Sequence, residues 1–557
     1  MGHGQGSSGA GVARTAAALA LLAGFWLATA ALVVGLAALG VAGLLDRSTW
    51  PFGLVGSVLM LGGAVVVVRG LLSLDRRAAR HGGRGTPSGR SRTGADRRSA
   101  FAAGLVVEVG PRDEPGLWAE VRATALAVGV RVPDRLALVP EVTAWVAERP
   151  RLLGLRRRQV TLGLGVGMLA VQRVSELRAV LAHELGHLAH RHGRLHLAML
   201  RTRTAMLRTS EELGVSPAGR LWGSYASTYS RLVSAIWQRQ ELEADARAVR
   251  LCGQRAAVAG LESVAISAHV LASLLQRFVV PLWGAGRHPD ELYGGLRQLL
   301  LDPAARPSLD RLRVAAWREP TDPHGSHPGL GLRLAAIAAL PDRPVPFDAT
   351  PARSLLCDPD AAEHDTAALL SWASTGGDTV PTTWAEAAGL VYGPARERAA
   401  AALATATMAV TGDWRAGHPR HTLEVLAAGR HAELAAKLVP ELGVAPAHPP
   451  PPDQAAALAV LRECLEDAVA AELVRAGTCT WAFSWPHLAV PAGGPAWTAP
   501  DELARLVAAA ADPVQARAGA AIALRRRLAA ATGGGQGQAR AAIGDHPAVR
   551  PAGQGGR

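Results

Sequence analysis

Leu181-Ala182-His183-Glu184-Leu185-Gly186-His187 is the stretch on which the reading of this chain turns. Ser175 to about His192 carries helical apolar spacing, with Ser175 predicted as N-cap and Glu176 in the first turn. At about 100° per residue, His183 and His187 stand about 40° apart, one turn from each other. Two imidazoles so placed reach one zinc ion. Glu184 lies about 60° from His187, suited to touch a water at the metal rather than to serve as a main ligand. Zinc lowers the pKa of such a water, and Glu184 is the candidate base that takes its proton and passes it to a leaving amine. Val180, Leu181, Ala182, Leu185 and Gly186 are uncharged, as a buried metal helix requires. A five-residue pattern with three fixed positions also arises by chance on ordinary helices, so further ligands have to be found.

A catalytic zinc takes three protein ligands and keeps a fourth position open. A third histidine at the metzincin spacing is absent, because His190 and Gly193 stand where that pattern needs Gly and His. The segment Gln240-Glu241-Leu242-Glu243-Ala244-Asp245 offers a carboxylate instead. Glu241 is the candidate ligand, and Asp245, one turn on, can accept a hydrogen bond from a ligand histidine and fix its ring. Glu243 is the fallback ligand, with Glu211 and Glu212 behind it in a predicted loop. The competing reading is a solvated acidic face formed by Glu241, Glu243 and Asp245 with Arg239 and Arg247. His190, His192 and His196 read as a polar helix end, with a regulatory second metal as the alternative.

Outside this core, the apolar residues are unevenly placed. The 557 residues are 49% hydrophobic and 19% charged, too apolar for a disordered chain. Thr15 to Leu45 and Ser48 to Val68 carry no charge, and each is long enough for a membrane-spanning helix of about 20 residues. The connector Asp46-Arg47-Ser48-Thr49-Trp50-Pro51 is short and polar, so the pair predicts a transmembrane hairpin. A cleaved signal peptide ending near Ala28-Thr29-Ala30 is the alternative, but the apolar run continues well past Ala30. Between Arg69 and Arg98, nine arginines face Asp75 and Asp96, which places the following segment on the cytoplasmic side. The formal net charge is +13, from 59 basic and 46 acidic residues, and this one segment supplies seven of it. The rest of the chain is more nearly neutral. Lys437 is the only lysine, and a basic charge that is almost all arginine can reflect coding bias alone, so no nucleic-acid partner is inferred. Cys252, Cys357, Cys464 and Cys479 form no CxxC pair, which argues against a disulfide-stapled scaffold.

The remaining segments frame the site. His81 to Ser99 reads as a linker. Leu117 to Val128 predicts a helix stopped by Gly129, and Leu136 to Val139 and Gln159 to Leu162 predict strands. Leu232 to Leu251 predicts a helix, and Val264 to Gln276 a core helix too short to span a membrane. Beyond Pro341, Ala-rich helices alternate with Pro-rich breaks. Cys479, Trp481, Phe483 and Trp485 alternate with polar or small residues as in a half-buried strand.

The HExxH with a later Glu-x-x-Ala-Asp, on a chain with an N-terminal apolar hairpin, resembles the HtpX and prenyl-protein endopeptidase family of zinc metallopeptidases. Ser326-His327-Pro328-Gly329-Leu330-Gly331-Leu332-Arg333-Leu334 resembles a third motif of that family, with Gly329 where a second proline is usual. The resemblance spans roughly Leu105 to Leu340. It implies a zincin-like fold, one zinc ion held by His183, His187 and Glu241, and Glu184 as general base. It also implies that His327 lies near the zinc, stabilising an oxyanion or occupying the open position, and that Arg333 holds that loop or a nearby carboxylate. Arg135 to Leu162 would then supply the sheet whose edge binds an extended peptide. Two departures stand out: arginines interrupt Leu197 to Gln240, so no further span fits there, and the region after Pro341 has no counterpart in the core family.

The expected fold is therefore α+β and mainly α. Residues 1–14 form a cytoplasmic N-terminus, 15–74 the transmembrane hairpin and 75–100 a basic linker. Residues 101–341 form the zincin-like metallopeptidase domain, 342–532 a mostly helical accessory region and 533–557 a disordered tail. The expected activity is a membrane-anchored, zinc-dependent endopeptidase facing the cytoplasm, with protein or peptide substrates and membrane lipids as partners. The alternatives are a membrane-tethered binding or scaffold protein with a structural or inactive zinc site, and an enzyme released by signal cleavage.

Overall fold

The computed structural model describes residues 106–151, 156–189, 217–325, 327–441, 454–485 and 488–533, with shorter pieces between 16 and 42 and between 199 and 215. The second apolar run, the arginine-rich segment, the linker, Glu211, Glu212, His190, His192, His196 and the tail after 533 lie outside the described residues. The described residues form two compact units. Those up to Leu274 and from Glu291 to Gly377 make the first; Leu275–Asp290 and those from Asp378 onward make the second.

In the first unit, β1 (Val107–Val109), β2 (Arg135–Val139), β3 (Ala144–Arg151) and β4 (Arg156–Gly165) form one sheet in the order β1-β2-β4-β3. The pair β2/β4 is parallel and the outer pairs are antiparallel. Leu136 to Val139 and Val160 to Leu164 are buried on both faces. That is why both central strands read as near-continuous apolar runs rather than as alternation. Gly163 is required by the crossing of Trp145, whose ring lies 2.1 Å from where a Cβ would stand. Helix α1 (Pro115–Val128) precedes the sheet's second strand and ends on Gly129 at φ 78, as its sequence predicts.

From β4 the chain runs through the short helix α2 (Val166–Val171) into α3 (Val174–Gly186), which carries the HExxH. The N-cap is Arg173, not Ser175. The helix starts earlier because residues 348–352 run alongside it and satisfy its first N–H groups. Val174 donates to the Thr350 carbonyl and Ser175 to that of Asp348, while the Ser175 hydroxyl accepts from the Asp348 N–H. Glu176 closes the turn by accepting from the Arg173 N–H at 2.9 Å. The last turn continues as a 3-10 turn, His187–Ala189.

Helix α4 (Pro217–Leu274) packs along α3. Ala179 and Ala182 of α3 meet Ala248, Val249, Cys252 and Ala256 of α4, and such small side chains let the two axes approach closely. The Glu176 carbonyl would lie 2.8 Å from a Cβ at Gly260, so glycine is needed at that crossing. A kink at Gly253 (φ 80, ψ 163) divides α4. The helical stretches predicted at Leu232 to Leu251 and near Val264 are its two halves. Among the described residues, one helix, Trp222–Gly284, is long and apolar enough to cross a membrane. Length and composition fit a core helix equally, so this alone is weak evidence of membrane association. The N-terminal described pieces are helical, and Phe25 is buried against Met206, Tyr229 and Trp222. Leu27, Val34 and Leu39 of the same run remain more than half exposed.

Helices α5 (Leu292–Leu301), α6 (Arg306–Arg318), α7 (Leu330–Ala338) and α8 (Pro359–Thr375) complete the first unit. Ile337 anchors α7 in the α3/α4 core, which directs Arg333, one turn earlier, toward α4.

The second unit is mainly helical. Strands β5 (Arg287–Pro289) and β6 (Val380–Thr382) pair in parallel, and β7 (Thr480–Ser484) with β8 (Leu488–Ala492) antiparallel. Leucines from its helices, among them Leu403, Leu426, Leu438, Leu465 and Leu524, form its core. The predicted strand alternation aims Phe483 and Trp485 at Phe278 and Trp384, with ring centroids 4.7–6.3 Å apart.

Candidate metal centre

His183, in the last turn of α3, and His187, in the 3-10 turn that follows it, point toward Glu241 on α4. Their Nε2 atoms are 3.3 Å apart, and Glu241 places one carboxylate oxygen 3.4 Å from His183 and the other 3.5 Å from His187. The site qualifies as a three-donor metal cluster. Ligand atoms about 2.0–2.1 Å from a tetrahedral zinc stand roughly 3.3 Å from each other, so the spacing suits that ion with a fourth position left over. His183 and Glu241 are buried, 9% and 6% exposed, whereas His187 is half-buried.

Behind these donors lies a second layer of charge. Asp245 accepts from His183 Nδ1 at 2.8 Å, which turns the Nε2 lone pair toward the centre. Arg333 grips Asp245 with two bonds, Nη2 at 2.7 Å and Nε at 2.8 Å, and places Nη1 3.7 Å from Glu241. His327 Nδ1 lies 2.9 Å from Glu241 Oε2. That oxygen is buried and makes no well-aligned hydrogen bond, so it retains a lone pair for a cation.

The electrostatics point the same way. Burial alone would lower the His183 pKa, but the Asp245 and Glu241 carboxylates outweigh it and raise it to about 9. Burial would raise the Glu241 carboxyl, yet His183 and His327 hold it well below the usual range. Burial likewise opposes the charge on Asp245, and the Arg333 and His183 bonds keep it depressed. The centre is thus built to hold positive charge among carboxylates, which is the setting a divalent cation needs.

Glu184, next to His183 on α3, is half-exposed and within electrostatic reach of Arg333. The structure therefore brings His183, His187, Glu241, Asp245, Arg333 and His327 together, with Glu184 alongside. Glu243 is excluded. It points away and pairs with Arg239 at 3.1 Å, as the helical geometry around Glu241 requires. Arg247, which the competing reading put on a solvated face, donates to the Gly186 carbonyl at 2.7 Å and caps the end of α3.

The departure at Gly329 has a local cause. Its backbone (φ −56, ψ 147) would suit proline, but a Cβ would lie 2.5 Å from the Glu319 carbonyl. Its N–H also donates to Thr321 Oγ1 at 2.8 Å, a bond proline cannot make.

Residues 154–340 match the sequence model of Peptidase family M48, which covers the HExxH, the Glu241 segment and the His327 segment. The match supports the M48 metallopeptidase family and, with the donor cluster, a zinc metallopeptidase activity in general. No curated protein and no solved structure matches the chain.

Proposed function

We propose that the chain is a membrane-anchored, zinc-dependent endopeptidase that cleaves membrane-associated or misfolded proteins on the cytoplasmic side. The observation that carries this reading is the trio His183, His187 and Glu241 at tetrahedral spacing, with Glu184 beside it. These three residues would hold the ion, while Asp245 and Arg333 fix the His183 ring and the Glu241 carboxylate. Bound zinc supplies Lewis acidity, polarising a peptide carbonyl and lowering the pKa of a water. Glu184 accepts the proton of the attacking water and hands it to the leaving amine. The half-exposed His327 donates to the developing oxyanion.

Strand β3 ends the sheet and packs against α3, so an extended peptide added to its outer edge would lie along the HExxH helix. The apolar runs near the N-terminus, the arginine-rich segment after them and the exposed Leu27, Val34 and Leu39 support the anchor and its orientation.

The test is cleavage of an unfolded protein such as casein by the purified full chain. Activity should disappear with a chelator and return with zinc. Glu184→Gln should keep its zinc and lose about 10²–10⁴-fold in rate. Full activity in a zinc-loaded Glu184→Gln form would overturn the mechanism. The same variant, expressed in its own membrane, should retain substrates for identification.

A further inference from the structure

His327 is the least secured of the site residues. Its side chain is 44% exposed, so its own packing does not hold it beside Glu241. The loop around it is held from other elements. Thr321 Oγ1 accepts from the Gly329 N–H on the far side of His327. On the near side, Gln238 Nε2 donates to the carbonyls of Asp322 at 3.0 Å and Gly325 at 3.4 Å. Arg203, on a helical segment spanning 202–207, donates from Nη2 to the His324 carbonyl. Its guanidinium stacks 5.4 Å over the Trp237 ring, and Asp322 adds an opposite charge.

Trp237, Gln238 and Glu241 lie within five residues of α4, little more than one turn. The element that presents the carboxylate therefore also carries the platform for Arg203 and an anchor of the loop. We propose that Arg203 is a positioning residue that fixes the reach of residues 321–325, and so the place of His327, relative to Glu241. Two residues lie between His324 and His327, so their Cα atoms are three steps and at most about 10 Å apart, and a clamp on the His324 carbonyl limits where the imidazole can go. Thr202, beside Arg203, accepts from Trp26 Nε1 at 3.1 Å, which joins this clamp to the N-terminal apolar segment.

Two arms test the proposal, and only the second rests on the peptidase reading. In the metal-free full chain, the rate at which diethyl pyrocarbonate modifies His327 is followed by peptide mass spectrometry. Arg203→Ala should raise it several-fold, Arg203→Lys should restore part of the protection, and Gln238→Ala should act in the same direction as Arg203→Ala. Thermal melts identify any variant that has failed to fold, and Gln238→Ala is the milder check in that event. Unchanged His327 reactivity in folded Arg203→Ala and Gln238→Ala would overturn the proposal. In turnover, Arg203→Ala should lower kcat about 10-fold to 100-fold with KM within about twofold and zinc content unchanged. In a His327→Ala background the same change should cost nothing further. An equal loss in both backgrounds would mean that Arg203 acts elsewhere. An inactive wild type would count against the peptidase reading, while the labelling arm would still decide the clamp.

Discussion

Replacing Asp245 with asparagine keeps the shape of the side chain and removes its charge. Three donors currently converge on the carboxylate: His183 Nδ1 at 2.8 Å, Arg333 Nη2 at 2.7 Å and Arg333 Nε at 2.8 Å. An amide offers one acceptor oxygen, so its NH2 must face either Arg333 Nε alone or both the imidazole N–H and Arg333 Nη2. Leaving one partner of a buried ion pair uncompensated costs about 3–5 kcal/mol. Glu241, 3.7 Å from Arg333, offsets part of that, so a loss near 3 kcal/mol is expected. Zinc affinity should fall about 10-fold to 100-fold, because the His183 ring loses the carboxylate that orients it and raises its basicity. The assay is zinc competition against a chromophoric chelator on the full chain in detergent, paired with thermal melts. A double variant, Asp245→Asn with Arg333→Met, should be less damaged than the sum of the single changes, because the stranded guanidinium is gone. A folded Asp245→Asn form that binds zinc within twofold of the wild type would refute the argument that Asp245 tunes the ligand.

Gly329→Pro, although it restores the proline usual in the resembling motif, should destabilise the protein by roughly 1–3 kcal/mol in melts, through the lost Thr321 bond and the contact with the Glu319 carbonyl. Zinc should raise the melting temperature of the wild type, adding about 4 kcal/mol at a thousandfold excess over Kd, and His187→Ala should abolish most of that response. Burial raises the Asp467 carboxyl from 3.8 to about 6 despite Arg396 at 2.6 Å, so the folded form binds the extra proton. Stability should therefore fall as pH rises from about 4 to 6, by roughly 2–3 kcal/mol, and stay level above that as far as this group is concerned. Chemical denaturation across that range should show this slope in the wild type and its loss in Asp467→Asn.

Much of the centre was legible because one helix turn sets its geometry. The i,i+4 spacing of His183 and His187 and of Glu241 and Asp245 needs only local helix formation, and the donors meet once α3 and α4 pack. Arg333 and His327 came from motif resemblance, and both stand at the centre. Ser175 is not the cap its sequence suggests because residues 348–352, far along the chain, complete the helix start. The length of α4 was hidden because Gly253 bends it, and the sequence on either side reads as separate helices. Arg203 stands in a segment with several other arginines, and only the tertiary approach of the 321–325 loop distinguishes it. Phe278, Trp384 and Phe483 are too far apart in sequence for any local pattern to group them.

The position of β3 at the end of its sheet carries a consequence for regulation under the proposed reading. A strand edge recognises backbone N–H and C=O groups, which every sequence has and which a folded protein has already used. A segment within a stable helix or a paired strand has none to offer. Discrimination would then depend on whether a client has lost its structure more than on which residues flank the bond. Cleavage rates across a set of clients should track their unfolding equilibria, with proline tolerated only at positions whose N–H faces away from β3. Such an enzyme needs no list of targets. It would measure the time each neighbour in the membrane spends unfolded.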